Sequence, residues 1–241
     1  MDTVRNLSTA IEGLYEAFAL YPLPEYTDPC PCCHTAADES MLHSAPLRQL
    51  GVSELRDYAG DALLVWGGVA EFKHFLPRIF DLYFNDPESA SDFVDAEILF
   101  NKFRHGQWLT WSTQEQNAVR IFLHALWADI LRDPPPPESF ADVESWLCSI
   151  AQAEDDLEPY LLQWLDDQRM SASLALSSKL LSDAGRNPFW DSRDEQCTQF
   201  QDWKKSRSVL KKLQEARIES TSVAEKNEFE AALGYLDFTS R

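Results

Sequence analysis

The chain has 241 residues, of which 44% are hydrophobic and 12% aromatic, and its formal net charge at pH 7 is −19. A chain of this length and apolarity can bury a core of its own, which excludes disorder over most of its length. The surplus of carboxylates repels phosphates and anionic lipid headgroups, so neither a nucleic acid nor a membrane is expected as a partner.

In the first half of the chain, apolar residues recur at helical spacing. The predicted helices span about residues 7–18, 37–43, 53–66, 69–84, 88–104 and 113–133. A proline-rich loop over 21–36 separates the first two, and Pro77 is expected to kink or break the fourth. Ser112 and Glu115 form a capping box that marks the start of the sixth.

The second half is predicted to form helices over about 139–152, 156–169, 171–184, 191–219 and 222–234. Four consecutive prolines at 134–137 form a stiff spacer between an N-terminal helical region, 1–133, and a C-terminal region, 138–241. The C-terminal region is first acidic and then basic, and a single continuous domain is the alternative. With no strand predicted, we expect an all-α protein, an irregular helical bundle or short α-solenoid of about 9–11 helices.

The charged N-terminal segment and the lack of a long apolar run indicate a cytoplasmic protein. Charged residues interrupt the first twenty positions, so no signal peptide is expected. No window approaches the roughly 18–20 apolar residues of a membrane span. The five cysteines are therefore expected to stay reduced.

The most distinctive segment is the cysteine loop, Cys30-Pro31-Cys32-Cys33-His34. Cys30 and Cys33 have the spacing of half a zinc site, and His34 is a candidate third ligand. The same residues match the attachment pattern for c-type haem, and a C-x-x-C dithiol can also cycle to a disulfide. Buried, chemically inert thiols are the fourth interpretation, and the sequence leaves all four open.

A second stretch, YAGDALLVWGGVAEFKHFLPRIFDLY, follows the cysteine loop at residues 58–83. Within it, Arg78 is expected to pair with Asp81 or Glu71 on its own helix. Together, this stretch and the CPCCH loop resemble a family of uncharacterised bacterial helical proteins with a similar CPCC loop and a similar WG…FKHFLPR segment. The resemblance covers about residues 15–105 and implies a bacterial origin, but it carries no activity and no catalytic residues.

The acidic stretch 129–167 holds eleven carboxylates and only one basic residue, Arg132. No catalytic motif is recognisable, so we expect a protein-binding module and not an enzyme. The sharpest hypothesis is an immunity- or antitoxin-type inhibitor that covers a basic toxin, such as a nuclease, by charge complementarity. The residues expected to contact the partner are Glu154, Asp155, Asp156, Glu158, Asp166 and Asp167, with Trp146 and Trp164 as apolar anchors. A zinc protein that uses the cysteine loop and a structural adaptor are the alternatives.

Overall fold

The computed structural model describes residues 6–85, 93–136, 141–182 and 186–239. Within these ranges the chain forms twelve α-helices and no β-strand, which confirms the predicted all-α class. Three short 3-10 helices, at Leu47–Gln49, Trp108–Thr110 and Pro188–Ser192, lie between them. No described helix combines the length and the apolarity that a membrane crossing requires.

Two compact units make up the chain, Met1–Ala125 and Leu126–Arg241, and each is described by itself. The boundary falls inside the sixth helix. The described helices are α1 Leu7–Phe18, α2 Ala36–Leu42, α3 Val52–Asp61, α4 Val69–Asn85, α5 Ala96–His105, α6 Thr113–Arg132, α7 Val143–Ala153, α8 Glu158–Asp166, α9 Met170–Leu181, α10 Asp194–Lys204, α11 Arg207–Glu219 and α12 Val223–Thr239. A division at the prolines 134–137 stays a prediction, and Pro137 lies outside the described residues.

Local side-chain chemistry explains several helix starts. At α6 the predicted capping box is present, because Ser112 N donates to Glu115 Oε2 over 2.8 Å and Glu115 N donates to Ser112 Oγ over 3.3 Å. The predicted helix over 191–219 is wrong as a single element. Ser206 accepts from the backbone N–H of Val209 and caps a second helix there, so the segment forms α10 and α11.

Two other helices differ from the prediction: one ends earlier than expected, and one continues through a proline. The predicted helix 53–66 ends at Asp61, since residues 62–66 form a tight turn in which the carbonyl of Asp61 accepts from the backbone N–H groups of Val65 and Trp66. Helix α4 continues through Pro77 instead of breaking there. The start of the predicted helix 88–104 lies outside the described residues as far as position 92.

The first unit is held by an aromatic core. Helix α1 packs on α4. The Phe80 ring lies 4.6 Å from that of Phe122 and 5.7 Å from that of Phe103, measured between centroids, and all three side chains are fully buried. Burial of each such ring contributes about 1.5–3 kcal/mol, which is why this core can position the loops around it.

A tryptophan-rich core holds the second unit. The Trp164 ring lies 5.4 Å from that of Trp127 in an edge-to-face arrangement and 6.5 Å from that of Phe200. The indole N–H of Trp164 donates to the carbonyl of Ala172 over 2.8 Å, so its polar atom is satisfied inside the core. Helix α12 packs against α9 and α11.

Candidate metal centre

A buried carboxylate fixes the start of the cysteine loop. Glu39 on α2 accepts from the backbone N–H of Thr27 over 2.8 Å and also from the Thr27 hydroxyl. The same hydroxyl accepts from the indole N–H of Trp66 over 2.7 Å. Burial alone would raise the pKa of Glu39, but these hydrogen bonds outweigh it and lower the pKa, so the carboxylate stays charged.

Backbone hydrogen bonds then shape the loop itself. The N–H of Cys30 donates to the carbonyl of Val65 over 2.8 Å. The carbonyl of Cys30 accepts from the N–H groups of Cys33 and His34, each over 3.0 Å. These hydrogen bonds close a tight turn over residues 30–33, which brings the side chains of the three cysteines close together.

The glycine pair after Trp66 lets this turn approach the loop closely. Gly67 has a φ of +66°, and a Cβ at this position would lie 3.2 Å from the carbonyl oxygen of Thr27. Glycine fits such a position because it lacks a Cβ. Asp28, two residues before the cysteine loop, and Leu63, in the turn 62–66, also have positive φ values, 56° and 64°.

Three sulfur atoms meet at the surface of the loop. The ligand atoms of Cys30, Cys32 and Cys33 all lie within 4.8 Å of one another, and this is the one such group of His, Cys, Asp or Glu found among the described residues. The Sγ–Sγ distances are 2.7 Å from Cys30 to Cys32 and 3.7 Å from Cys32 to Cys33. Cys32 and Cys33 are exposed, so the cluster can hold a metal ion that reaches it from solvent.

The thiols differ in acidity because they share hydrogen bonds. The contact with the Cys32 thiol is the largest cause that lowers the pKa of Cys30. The same contact, followed by that with Cys33, raises the pKa of Cys32 to about 11. Of these two thiols, Cys30 is therefore the one that ionises more readily.

His34, the predicted third ligand, does not belong to the sulfur group. Its Nε2 lies 3.0 Å from Asp61 Oδ2, without the geometry of a hydrogen bond, and its ring lies 4.1 Å from that of Trp66. The His34 ring packs on the indole, while Cys32 lies beside the other two thiols. The ligand set of Cys30, Cys33 and His34 stays a prediction. Two other histidines of the first unit have partners away from the loop: His43 contacts Glu39, and His74 contacts the carbonyl of Tyr21.

Searches of protein-family models, of curated proteins and of solved structures found no match to this chain. The resemblance drawn from the CPCC loop stays a prediction.

The structure places the predicted partner-contacting residues in different environments. Exposed carboxylates belong to Asp155, Asp156, Glu158 and Asp166, whereas Glu154, Asp167 and Trp146 are half-buried. Asp155 Oδ1 lies 2.8 Å from the guanidinium of Arg193, and Asp167 pairs with Arg169. Trp164 is fully buried, so its prediction as an apolar anchor is wrong: the indole belongs to the core of the second unit.

Sequence reasoning missed two groups that the structure brings together. The C-x-x-C pattern draws attention to Cys30 and Cys33, although three cysteines within four residues were a signal for Cys32 as well. Lys73 and Glu115, far apart in sequence, form a buried ion pair with an N–O distance of 2.9 Å. No sequence spacing could have revealed that pair. The expected pairing of Arg78 is confirmed, at 2.7 Å from Asp81.

Proposed function

We propose that this protein binds one thiophilic metal ion, zinc, through the thiolates of Cys30, Cys32 and Cys33. The observation that carries the proposal is the convergence of three sulfur atoms within 4.8 Å on one short turn. Thiolates are soft ligands that select zinc and Cu(I) over magnesium, calcium or manganese.

The sulfur spacing fits a tetrahedral ion in part. Zn–S bonds of about 2.3 Å at tetrahedral angles place two sulfur atoms about 3.8 Å apart. The distance from Cys32 to Cys33, 3.7 Å, meets that value, whereas the 2.7 Å from Cys30 to Cys32 must open by about 1 Å. An exposed turn can make this adjustment, since no side chain of the core has to move.

Three thiolates leave one position of a tetrahedral ion open, and structural zinc sites normally fill all four. Next to Cys30 lies an open groove of about 640 Å³, whose lining includes Tyr26 and the turn from Leu64 to Gly68. A ligand from solvent or from another molecule has room to approach there. The arrangement therefore favours an exchangeable zinc site over a purely structural one.

A competition titration against a chromophoric zinc chelator tests the proposal under reducing conditions. We expect Cys30→Ser, Cys32→Ser and Cys33→Ser each to weaken zinc binding, because each removes one thiolate. Cys197→Ser, in the second unit, is the matched control and keeps wild-type affinity. Affinity in the wild type should fall as the pH is lowered, since protons compete for the thiolates. Equal zinc affinity in the three loop variants and the wild type would overturn the proposal. A loss of affinity confined to Cys30→Ser and Cys33→Ser would instead assign zinc binding to the C-x-x-C pair without Cys32.

We propose as a second candidate function that the acidic surface binds a basic protein, with an immunity- or antitoxin-type inhibitor as the specific form. The exposed carboxylates of Asp156, Glu158 and Asp166 favour this role, because they lie where a cationic partner can reach them. Their joint replacement by the corresponding amides should weaken the complex and reduce its dependence on salt. An affinity unchanged by the substitutions would refute this contact surface.

A further inference from the structure

A cavity of about 470 Å³ in the second unit lies against one face of α10. Cys197, Gln201 and Lys204 line it and are spaced at i, i+4 and i+7, which places them on the same side of the helix. Glu144 from α7 and Lys179 from α9 contribute further charged side chains. The cavity thus combines a thiol and two amines that the proposed metal site does not use.

Most charged groups of this cavity are already paired. Lys179 Nζ lies 2.8 Å from Glu144 Oε2 and 2.9 Å from Asp142 Oδ2. Arg186 Nη2 lies 2.7 Å from Asp194 Oδ1. Glu144 Oε1 also accepts from the indole N–H of Trp190 over 3.0 Å, so both of its oxygens are in use.

Lys204 differs from the other cations of the cavity. No carboxylate in the described parts of the chain lies within 4.0 Å of its Nζ, which is instead 4.8 Å from the centroid of the Phe200 ring. Burial is the largest influence on its pKa and lowers it, and the nearby charges of Lys179 and Lys205 act in the same direction. Glu144 and Cys197 act in the opposite direction, but the net change is a lowered pKa.

These features together describe a half-buried amine without a carboxylate partner, beside a cavity with room for a small molecule. A lysine that is desolvated and lies near another cation is the usual form of a nucleophilic amine in proteins. A perturbed titratable group that lines a cleft is likewise a candidate functional group. A protonated and ion-paired lysine, such as Lys179, has no lone pair to offer.

We propose that Lys204 is a reactive amine that captures small aldehydes in this cavity as an imine. The lone pair of the neutral amine adds to the carbonyl carbon, and transfer of one amine proton to the oxygen gives a carbinolamine. Loss of the remaining N–H proton and the hydroxyl as water leaves a C=N bond. One aldehyde is consumed and one water is released for each imine, with no oxidant or reductant.

Limited labelling of the wild-type chain tests this proposal directly. The protein is treated at pH 7 with a low concentration of propionaldehyde and with cyanoborohydride, which reduces any imine to a stable secondary amine, and the labelled lysines are identified by peptide mass spectrometry. We expect Lys204 to be labelled several-fold faster than Lys205, its exposed neighbour, and Lys211 on α11. Labelling of Lys204 at or below the rate of Lys205 would overturn the proposal.

A variant and a pH series separate reactivity from simple accessibility. Lys204→Arg keeps the positive charge but removes the primary amine, so the early phase of labelling should be lost while the other lysines react as before. In the wild type, the labelling rate of Lys204 should level off at a lower pH than that of Lys205. An unchanged early phase in Lys204→Arg, or pH profiles that coincide, would refute the assignment.

Discussion

Lys73→Met would remove the cation from a deeply buried ion pair of the first unit. Lys73 and Glu115 are 6% and 5% exposed, and the ammonium lies 2.9 Å from both Glu115 Oε1 and the hydroxyl oxygen of Tyr21. Methionine is nearly as long as lysine and can fill the space that the lysine side chain occupies. The substitution therefore removes the charge while creating little empty volume. The Glu115 carboxylate then stays buried without a counter-charge.

Loss of one partner from a buried pair costs about 3–5 kcal/mol, because the remaining charge stays desolvated. Against the total stability of about 5–15 kcal/mol of a typical domain, that is a large fraction. The double variant Lys73→Met/Glu115→Gln should recover at least half of the loss, since it removes both charges while the amide oxygen still accepts from Tyr21 or Ser112. Urea unfolding followed by fluorescence gives the free energies.

The pH dependence of the stability lost in Lys73→Met tests the same argument. Burial raises the pKa of Glu115, but hydrogen bonds from Tyr21, Lys73 and Ser112 outweigh it and hold the pKa at about 2, compared with 4.5 for a free side chain. A lowered pKa contributes stability that is complete above pH 4.5 and is lost as the pH falls towards 2. Without Lys73 the carboxylate protonates more easily, so Lys73→Met should be less damaging at pH 4 than at pH 7. A loss below 1 kcal/mol at pH 7, or one that grows at pH 4, would refute this account.

Two further predictions, one for each unit, test the fold around the cores. Gly67→Ala should destabilise the first unit by about 1–3 kcal/mol in thermal unfolding, because alanine is strained at a φ of +66°, whereas Gly13→Ala within α1, with no atom near the added Cβ, should be neutral or slightly stabilising. Trp164→Ala should cost about 3–5 kcal/mol of stability in urea unfolding, since it empties a fully buried site. A Trp164→Ala variant as stable as the wild type would contradict the burial of this side chain in the core.

Helical periodicity was sufficient to predict the class and most helices, because burial of one face imposes a repeat that can be read directly. Helix α1 begins and ends where Leu7, Ile11, Leu14 and Phe18 predict. The division between α10 and α11 was missed, since polar residues surround Ser206 and leave the apolar repeat without a visible interruption. Tertiary packing similarly overrides Pro77, which lies inside α4.

The candidate site was predictable in part. Cysteine spacing along the chain identified the loop, and its proline-rich composition indicated an irregular backbone. The position of Cys32 beside the other two thiols and the packing of His34 on Trp66 depend on how the loop folds against Trp66 and Asp61. These two residues lie about thirty residues further along the chain. No local pattern contains that information, because it arises from the packing of the turn 62–66 against the loop.

Native mass spectrometry of the full chain with zinc tests the central claim most directly. The account predicts one bound zinc ion per wild-type chain, and none in the variant in which Cys30, Cys32 and Cys33 are all replaced by serine. Wild-type protein that stays free of zinc, or a triple variant that keeps the ion, would contradict the assignment of a metal centre to the cysteine loop.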